Sequence, residues 1–158
     1  MARKDITMTP SEIQEFLATG HTLQVATIGR DGTPHLAPMW YVMDDGRVVF
    51  RSFTKSQKMI NLQRDPRLTV LHERGLAYAE LQGVMIRGTG TLIDDPAYVL
   101  ETYRLLAAKY PMVGDEPVDL DDDSLEAAFG RFASKNTAVV VEPDKIVTWD
   151  HTKLGGAY

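Results

Sequence analysis

Residues 21–53 read "HTLQVATIGRDGTPHLAPMWYVMDDGRVVFRSF", and this stretch decides the fold. Three runs rich in β-branched and aromatic residues are separated by Arg30-Asp31-Gly32 and by Asp44-Asp45-Gly46, both of which have the chemistry of tight hairpin turns. The pattern predicts an antiparallel meander of three strands. Upstream, "TPSEIQEFLATG" predicts a helix: Thr9 as N-cap, Pro10 in the first turn, Glu12 completing a T-x-x-E capping box, and Ile13, Phe16 and Leu17 forming an apolar stripe that ends at Gly20.

Downstream, "FRSFTKSQKMINLQRDP" at 50–66 reads as a strand handing over to a short helix, which Asp65-Pro66 ends because proline disfavours the α region in the residue before it. "RLTVLHE" and "AYAELQGVMIRGTGTLID" return to strand character, with Gly83, Gly88 and Gly90 predicting bulges or bends where a sheet curls. Asp95-Pro96 opens a third helix running to Tyr110, and a fourth is expected over roughly 124–134. "TAVVVEPDKIVTWDHT" is expected to close the chain with two more strands. About seven antiparallel strands with inserted helices, and no βαβ alternation, make a small split β-barrel the economical architecture. No repeat, linker or low-complexity tract divides residues 1–158, so one domain is expected.

Composition narrows the function classes. Hydrophobic residues at 44% and charged residues at 25% are ordinary globular values, which exclude a fibrous or disordered chain. The absence of cysteine removes disulfides, thiolate metal sites and cysteine nucleophiles together. No apolar h-region stands at the N-terminus and no run approaches a membrane span, so a cytoplasmic protein is expected. The net charge of -5 is local in origin: "DEPVDLDDDS" at 115–124 holds six acids, leaving 16 acids against 17 bases elsewhere. That acidic run fails as a calcium loop, because Ser124 stands where the loop needs glycine and Gly130 where it needs a bidentate glutamate. His21, His35, His72 and His151 lack metal-site spacing. The short basic cluster and a pI near 5.3 argue against nucleic acid, and no basic amphipathic helix argues for a membrane surface.

One cluster is different in kind. Arg51, Ser52, Thr54, Lys55, Ser56 and Lys58 concentrate hydroxyls and cations where a strand ends and a helix begins, and helix-start amides favour bound anions. A phosphate would find several donors there; equally, Thr54 or Ser56 could cap the helix while the cations face solvent.

The order from "VATIGRDGTPH" through "RLTVLHE" to "GVMIRGTGTL" resembles the split β-barrel flavin and deazaflavin oxidoreductases, the superfamily of pyridoxamine 5′-phosphate oxidase-like, FMN-binding split barrels, over about residues 10–155. The D-G-x-P hairpin, "K-x-x-N-L-x-x-D-P" at Lys58–Pro66 and the terminal "W-D-H-T-K-L-G-G" are most similar to the branch that uses the deazaflavin coenzyme F420. Pyridoxamine phosphate oxidases proper carry an arginine-leucine motif near the C-terminus, where this chain has Lys153-Leu154-Gly155-Gly156. The resemblance implies an F420-dependent reductase acting on an electron-poor conjugated small molecule, with FMN as the alternative cofactor and a non-catalytic binding protein as the alternative role. It implies a homodimer with cofactor sites at the interface. Lys58 is then the phosphate-binding lysine, supported by Arg51, Ser52, Lys55 and Ser56, with Asn61 bracing the turn. Pro38, Met39 and Trp40 lie along the cofactor ring, His35 falls near the same strand, and Gln82 and Gly83 come from the partner subunit. The Gly155-Gly156 tail could fold over the site. By residue type alone His35, Tyr41 and Tyr158 are candidate proton donors.

Overall fold

The computed structural model describes residues 5–155 of the chain. Seven antiparallel strands form one sheet: β1 (Leu23–Ile28), β2 (Pro34–Met39), β3 (Val42–Asp44), β4 (Arg47–Phe53), β5 (Arg67–Arg74), β6 (Gln82–Ile93) and β7 (Asn136–Asp150), in spatial order β2-β1-β5-β6-β7-β4-β3. Four helices accompany it: α1 (Pro10–Thr19), α2 (Gln57–Arg64), α3 (Pro96–Lys109) and α4 (Asp122–Ala133).

The order corrects the expected meander. The two hairpin turns are where the sequence puts them, joining β1 to β2 and β3 to β4, but the middle run breaks at Trp40-Tyr41 and its halves belong to opposite edges of the sheet. Edge strands separated by two residues of chain can exist only if the sheet curls until its edges approach. That curl makes the architecture a split β-barrel, open between β2 and β3. The break is fixed by Tyr41, which is fully buried and donates its hydroxyl to the Leu17 carbonyl at 2.6 Å.

The last expected pair of strands is also corrected. Residues 136–150 form one strand, which bends where Asp144 is inserted opposite the Arg87/Gly88 step. Pro143 is tolerated there because a bulge interrupts the ladder that proline could not complete. Gly88 is required at the same place: a Cβ on it would lie 2.0 Å from the Glu142 carbonyl oxygen.

Two apolar clusters follow from the patterning. Inside the curl, Leu23, Val25, Phe50, Leu68, Val70, Val84, Ile86, Val139 and Val141 pack with Phe16 and Leu17 of α1 and with Met59 and Leu62 of α2. On the outer side of β4 and β7, Val49, Ala138 and Val140 meet Val99, Tyr103, Leu106 and Tyr110 from α3 and the end of its chain, and Leu125 and Phe129 of α4. Strands covered on both faces read as continuous apolar runs, which is why Val48-Val49-Phe50 and Ala138–Val141 do not alternate. The acidic segment contributes Asp121 as N-cap of α4, accepting from the Ser124 amide at 2.8 Å, and Asp122, which pairs with Arg104.

Candidate functional site: a phosphate cradle and an aromatic cavity

β4 leaves the sheet at Phe53 and α2 starts four residues later, with Ser56 as its N-cap. Ser56 makes no side-chain capping bond; its hydroxyl lies 3.1 Å from that of Ser52, and Lys58 Nζ donates to Ser52 Oγ at 3.1 Å. Burial pushes the Lys58 ammonium down from its ordinary range, and no carboxylate among the described residues forms an ion pair with it. A cation, two hydroxyls and the amide end of a helix dipole therefore converge, a donor set that fits a phosphate.

The remainder of α2 is pinned. Asn61, fully buried, donates to Thr27 Oγ1 at 3.0 Å and accepts from Gln57 Nε2 at 2.9 Å, and Arg64 donates to the Ile28 carbonyl. Thr54 neither caps α2 nor joins the cluster. Its hydroxyl lies 3.1 Å from the Lys135 carbonyl and 3.0 Å from Thr137 Oγ1, and so fastens the end of β4 to β7. Lys55 is exposed beside the cluster.

Arg51 is not brought to Lys58. Alternation along β4 turns Phe50 and Ser52 into the curl and Arg51 to the opposite face, where its guanidinium carbon stands 4.2 Å from the Tyr103 ring centroid. It donates from Nη1 to Asn136 Oδ1 at 3.2 Å, while its buried Nε has no partner among the described residues. There Arg51 joins Pro38, Met39, Trp40, Thr22 and Leu106 in lining a cavity of about 370 Å³. Trp40 is 40% exposed and stacks on Tyr110, with ring centroids 4.6 Å apart and planes within 7°; His21 sits edge-on to both rings.

The backbone of the Trp40-Tyr41 crossing is held from α3. The Tyr41 amide donates to Tyr110 Oη at 3.2 Å, and Lys109 Nζ donates to the Tyr41 carbonyl at 3.1 Å while lying over the Tyr41 ring. Burial pushes the Lys109 ammonium down to about 8. No local motif in the sequence flags Lys109 or Tyr110, because their partners lie about seventy residues away.

The other sequence candidates fall elsewhere. His35 is half-buried on β2 opposite Thr27, with Nδ1 buried and without a partner among the described residues. Gln82 accepts from Arg74 Nε at 2.8 Å and lines a separate cavity with Glu12 and Asp150. Gly83 lies under the Trp149 ring, which a Cβ would meet at 2.1 Å. Within one chain neither residue reaches the Trp40 cavity's lining. Tyr41 is withdrawn as a proton donor, because burial drives its phenol far above the ordinary value and its hydroxyl is committed to Leu17. Tyr158 and Gly156 lie outside the described residues, and Gly155 ends the final turn in the left-handed region, at φ 60°.

Comparison with known proteins gives this geometry a context. No curated protein matches the chain in sequence. Among solved structures, a conserved hypothetical protein from Mycobacterium tuberculosis is 33% identical with a TM-score of 0.87, over 98% of this chain and 92% of that one. A structure described as an F420 reductase is 22% identical with a TM-score of 0.64, over 85% and 94% of the two chains. A haem-binding protein from Mycobacterium smegmatis is 12% identical with a TM-score of 0.62, over 94% of this chain and 61% of that one. The last two likenesses are of fold. The sequence model of pyridoxamine 5′-phosphate oxidase matches residues 9–150, nearly the whole chain, and the protein therefore belongs to that family of split-barrel, flavin- or deazaflavin-binding proteins of oxidoreductase type.

Proposed function

We propose that the protein is an F420-dependent reductase, one cofactor-binding domain spanning residues 1–158 that works in the cytoplasm on an electron-poor conjugated small molecule of the enone or quinone type. The observation that carries this reading is the cradle of Lys58, Ser52 and Ser56 at the start of α2, a cation with no carboxylate among the described residues to neutralise it. F420 and FMN each present a phosphate, and the cradle suits either. The 22% identity to a structure described as an F420 reductase supports the deazaflavin, as do the Lys58–Pro66 and Trp149–Gly156 motifs.

When bound, the deazaflavin supplies hydride transfer, and the protein supplies binding, orientation and exclusion of water. Lys58, Ser52 and Ser56 would hold the phosphate, with Lys55 adding charge at the rim. Asn61 keeps α2 at its angle through Thr27. Pro38, Met39 and Trp40 would meet the ring through their backbone, which Tyr110 and Lys109 fix at Tyr41. His35, opposite Thr27 on β2, would stand near the cofactor on the α2 side.

The site is completed by a second copy of the chain, which contributes Gln82 and Gly83. The outward sheet face supports this pairing: Leu36 is 66% exposed there, and Ala26, Ile28 and Pro34 line a neighbouring cavity of about 480 Å³ whose other side carries Arg67, Arg87 and Asp144. Large exposed aliphatic groups on a sheet face mark association surfaces.

The test is anaerobic incubation with reduced F420 and a panel of enones and quinones, following reappearance of oxidised F420 absorbance. Turnover of at least one acceptor is the expected result. Tight F420 binding without turnover of any acceptor would leave a carrier protein, and preference for FMN would move the protein to the flavin branch.

A further inference from the structure

The Arg51 cavity holds a cation that the Lys58 cluster does not use. Arg51 is a half-buried cation with one hydrogen bond, to an amide oxygen, and with no ion-pair partner among the described residues. Burial lowers its pKa, and a guanidinium keeps its charge inside a protein. Tyr103 covers one face of the guanidinium, and the buried Nε has no acceptor among the described residues. The rest of the lining is Trp40, Met39, Pro38 and Leu106, with Thr22 as the one other polar side chain, and no acidic residue is among them. A carboxylate in the cavity would meet a guanidinium that no acidic side chain among the described residues neutralises.

We propose that this cavity binds the carboxylate end of a conjugated, planar acid, with Arg51 pairing the carboxylate and Trp40, Met39 and Leu106 enclosing the apolar part. The role of that acid as substrate rests on the reductase reading above. Alternation along β4 is what separates the two anion sites: Ser52 turns toward Lys58 for phosphate, and Arg51 turns toward Tyr103 for carboxylate. Planar bidentate pairing suits guanidinium better than ammonium, so Arg51 discriminates an acid from its neutral amide.

The test is calorimetric titration of cofactor-free protein with trans-cinnamate and, separately, with cinnamamide, which has the same shape without the charge. Cinnamate is expected to bind at least ten-fold more tightly than the amide. Arg51→Gln should abolish that preference, and Arg51→Lys should retain part of it. Equal affinity of acid and amide, or no binding of cinnamate at millimolar concentration, would overturn the proposal, as would a folded Arg51→Gln protein that keeps the preference. Because the comparison of acid with amide is made on the unaltered chain, it stands even if both variants misfold. Titrating the same preparation with F420 separates the two claims: cinnamate preference without F420 binding sinks the reductase reading alone, and F420 binding without cinnamate preference sinks the carboxylate site alone.

Discussion

Lys58 illustrates how a residue's surroundings leave a cation without a carboxylate partner among the described residues. Its ammonium touches a serine hydroxyl instead of a carboxylate, so it is available to an incoming anion. Lys58→Ala is expected to weaken F420 binding by about 1.5 to 3 kcal/mol, the usual loss for a hydrogen bond to a charged group. Unchanged affinity in a folded variant would remove Lys58 from the site. A second residue-scale prediction concerns His72, buried against Phe16 and Tyr41 with Nδ1 2.9 Å from the Thr22 carbonyl and Nε2 without a partner among the described residues. Burial holds its pKa below the ordinary 6.5, so the unfolded chain binds the proton first. Stability is then full above about pH 6.5 and declines as pH falls through that value toward the folded-state pKa. The lowered carboxylates, such as Asp65 at about 2, titrate further down. His72→Gln should therefore flatten the stability profile between about pH 7 and 5 in denaturant melts, whereas an equally steep fall in the variant would place the effect elsewhere. The sequence gives no warning of this burial, because His72 looks like any polar member of an alternating strand.

At the scale of elements, local chemistry was legible where one short segment decides the outcome. The Thr9–Glu12 capping box forms as read, with Glu12 Oε2 accepting from the Thr9 amide at 2.7 Å and Thr9 Oγ1 from the Glu12 amide at 3.3 Å. Glu12 also pairs with Lys153 at 2.7 Å, tying α1 to the end of the chain. Thr9→Ala should cost about 1 kcal/mol in chemical denaturation, as lost N-caps do. A neutral result would mean that the Lys153 tether alone fixes the helix start. The hairpin turns and the Asp65-Pro66 stop were equally legible. Where a partner strand decides, the sequence was ambiguous: Trp40-Tyr41 looks like the middle of one strand and is the crossing between two, and Pro143 looks like a break and is part of a bulge. Gly88 was recognisable as a bend, and its backbone neighbour now sets the cost. Gly88→Ala should destabilise by roughly 1 to 3 kcal/mol, the range for overpacking a closed site, and a thermal melt matching that of the unaltered protein would contradict the bulge geometry.

For the molecule as a whole, one curled sheet places the Lys58–Ser52 cluster and Arg51 on opposite faces of β4, close in sequence and separate in space. That separation was illegible in the run "FRSFTKSQK", which presents all its cations as one cluster; only the strand's alternation and the positions of Tyr103 and Asn136 divide them. Association belongs to the same scale. Leu36→Lys on the outward sheet face should shift the protein from about twice 17.6 kDa toward a single chain in sedimentation. An unaltered chain that already sediments at 17.6 kDa would contradict an interface-borne site. The most direct test of the central claim is an equilibrium titration of cofactor-free protein with F420 and, separately, with FMN, following quenching of Trp40 and Trp149 emission. The account predicts saturation by F420 at micromolar concentration or below, with FMN much weaker. Binding of neither would contradict it and return Lys58 and its serines to a helix start that faces only solvent.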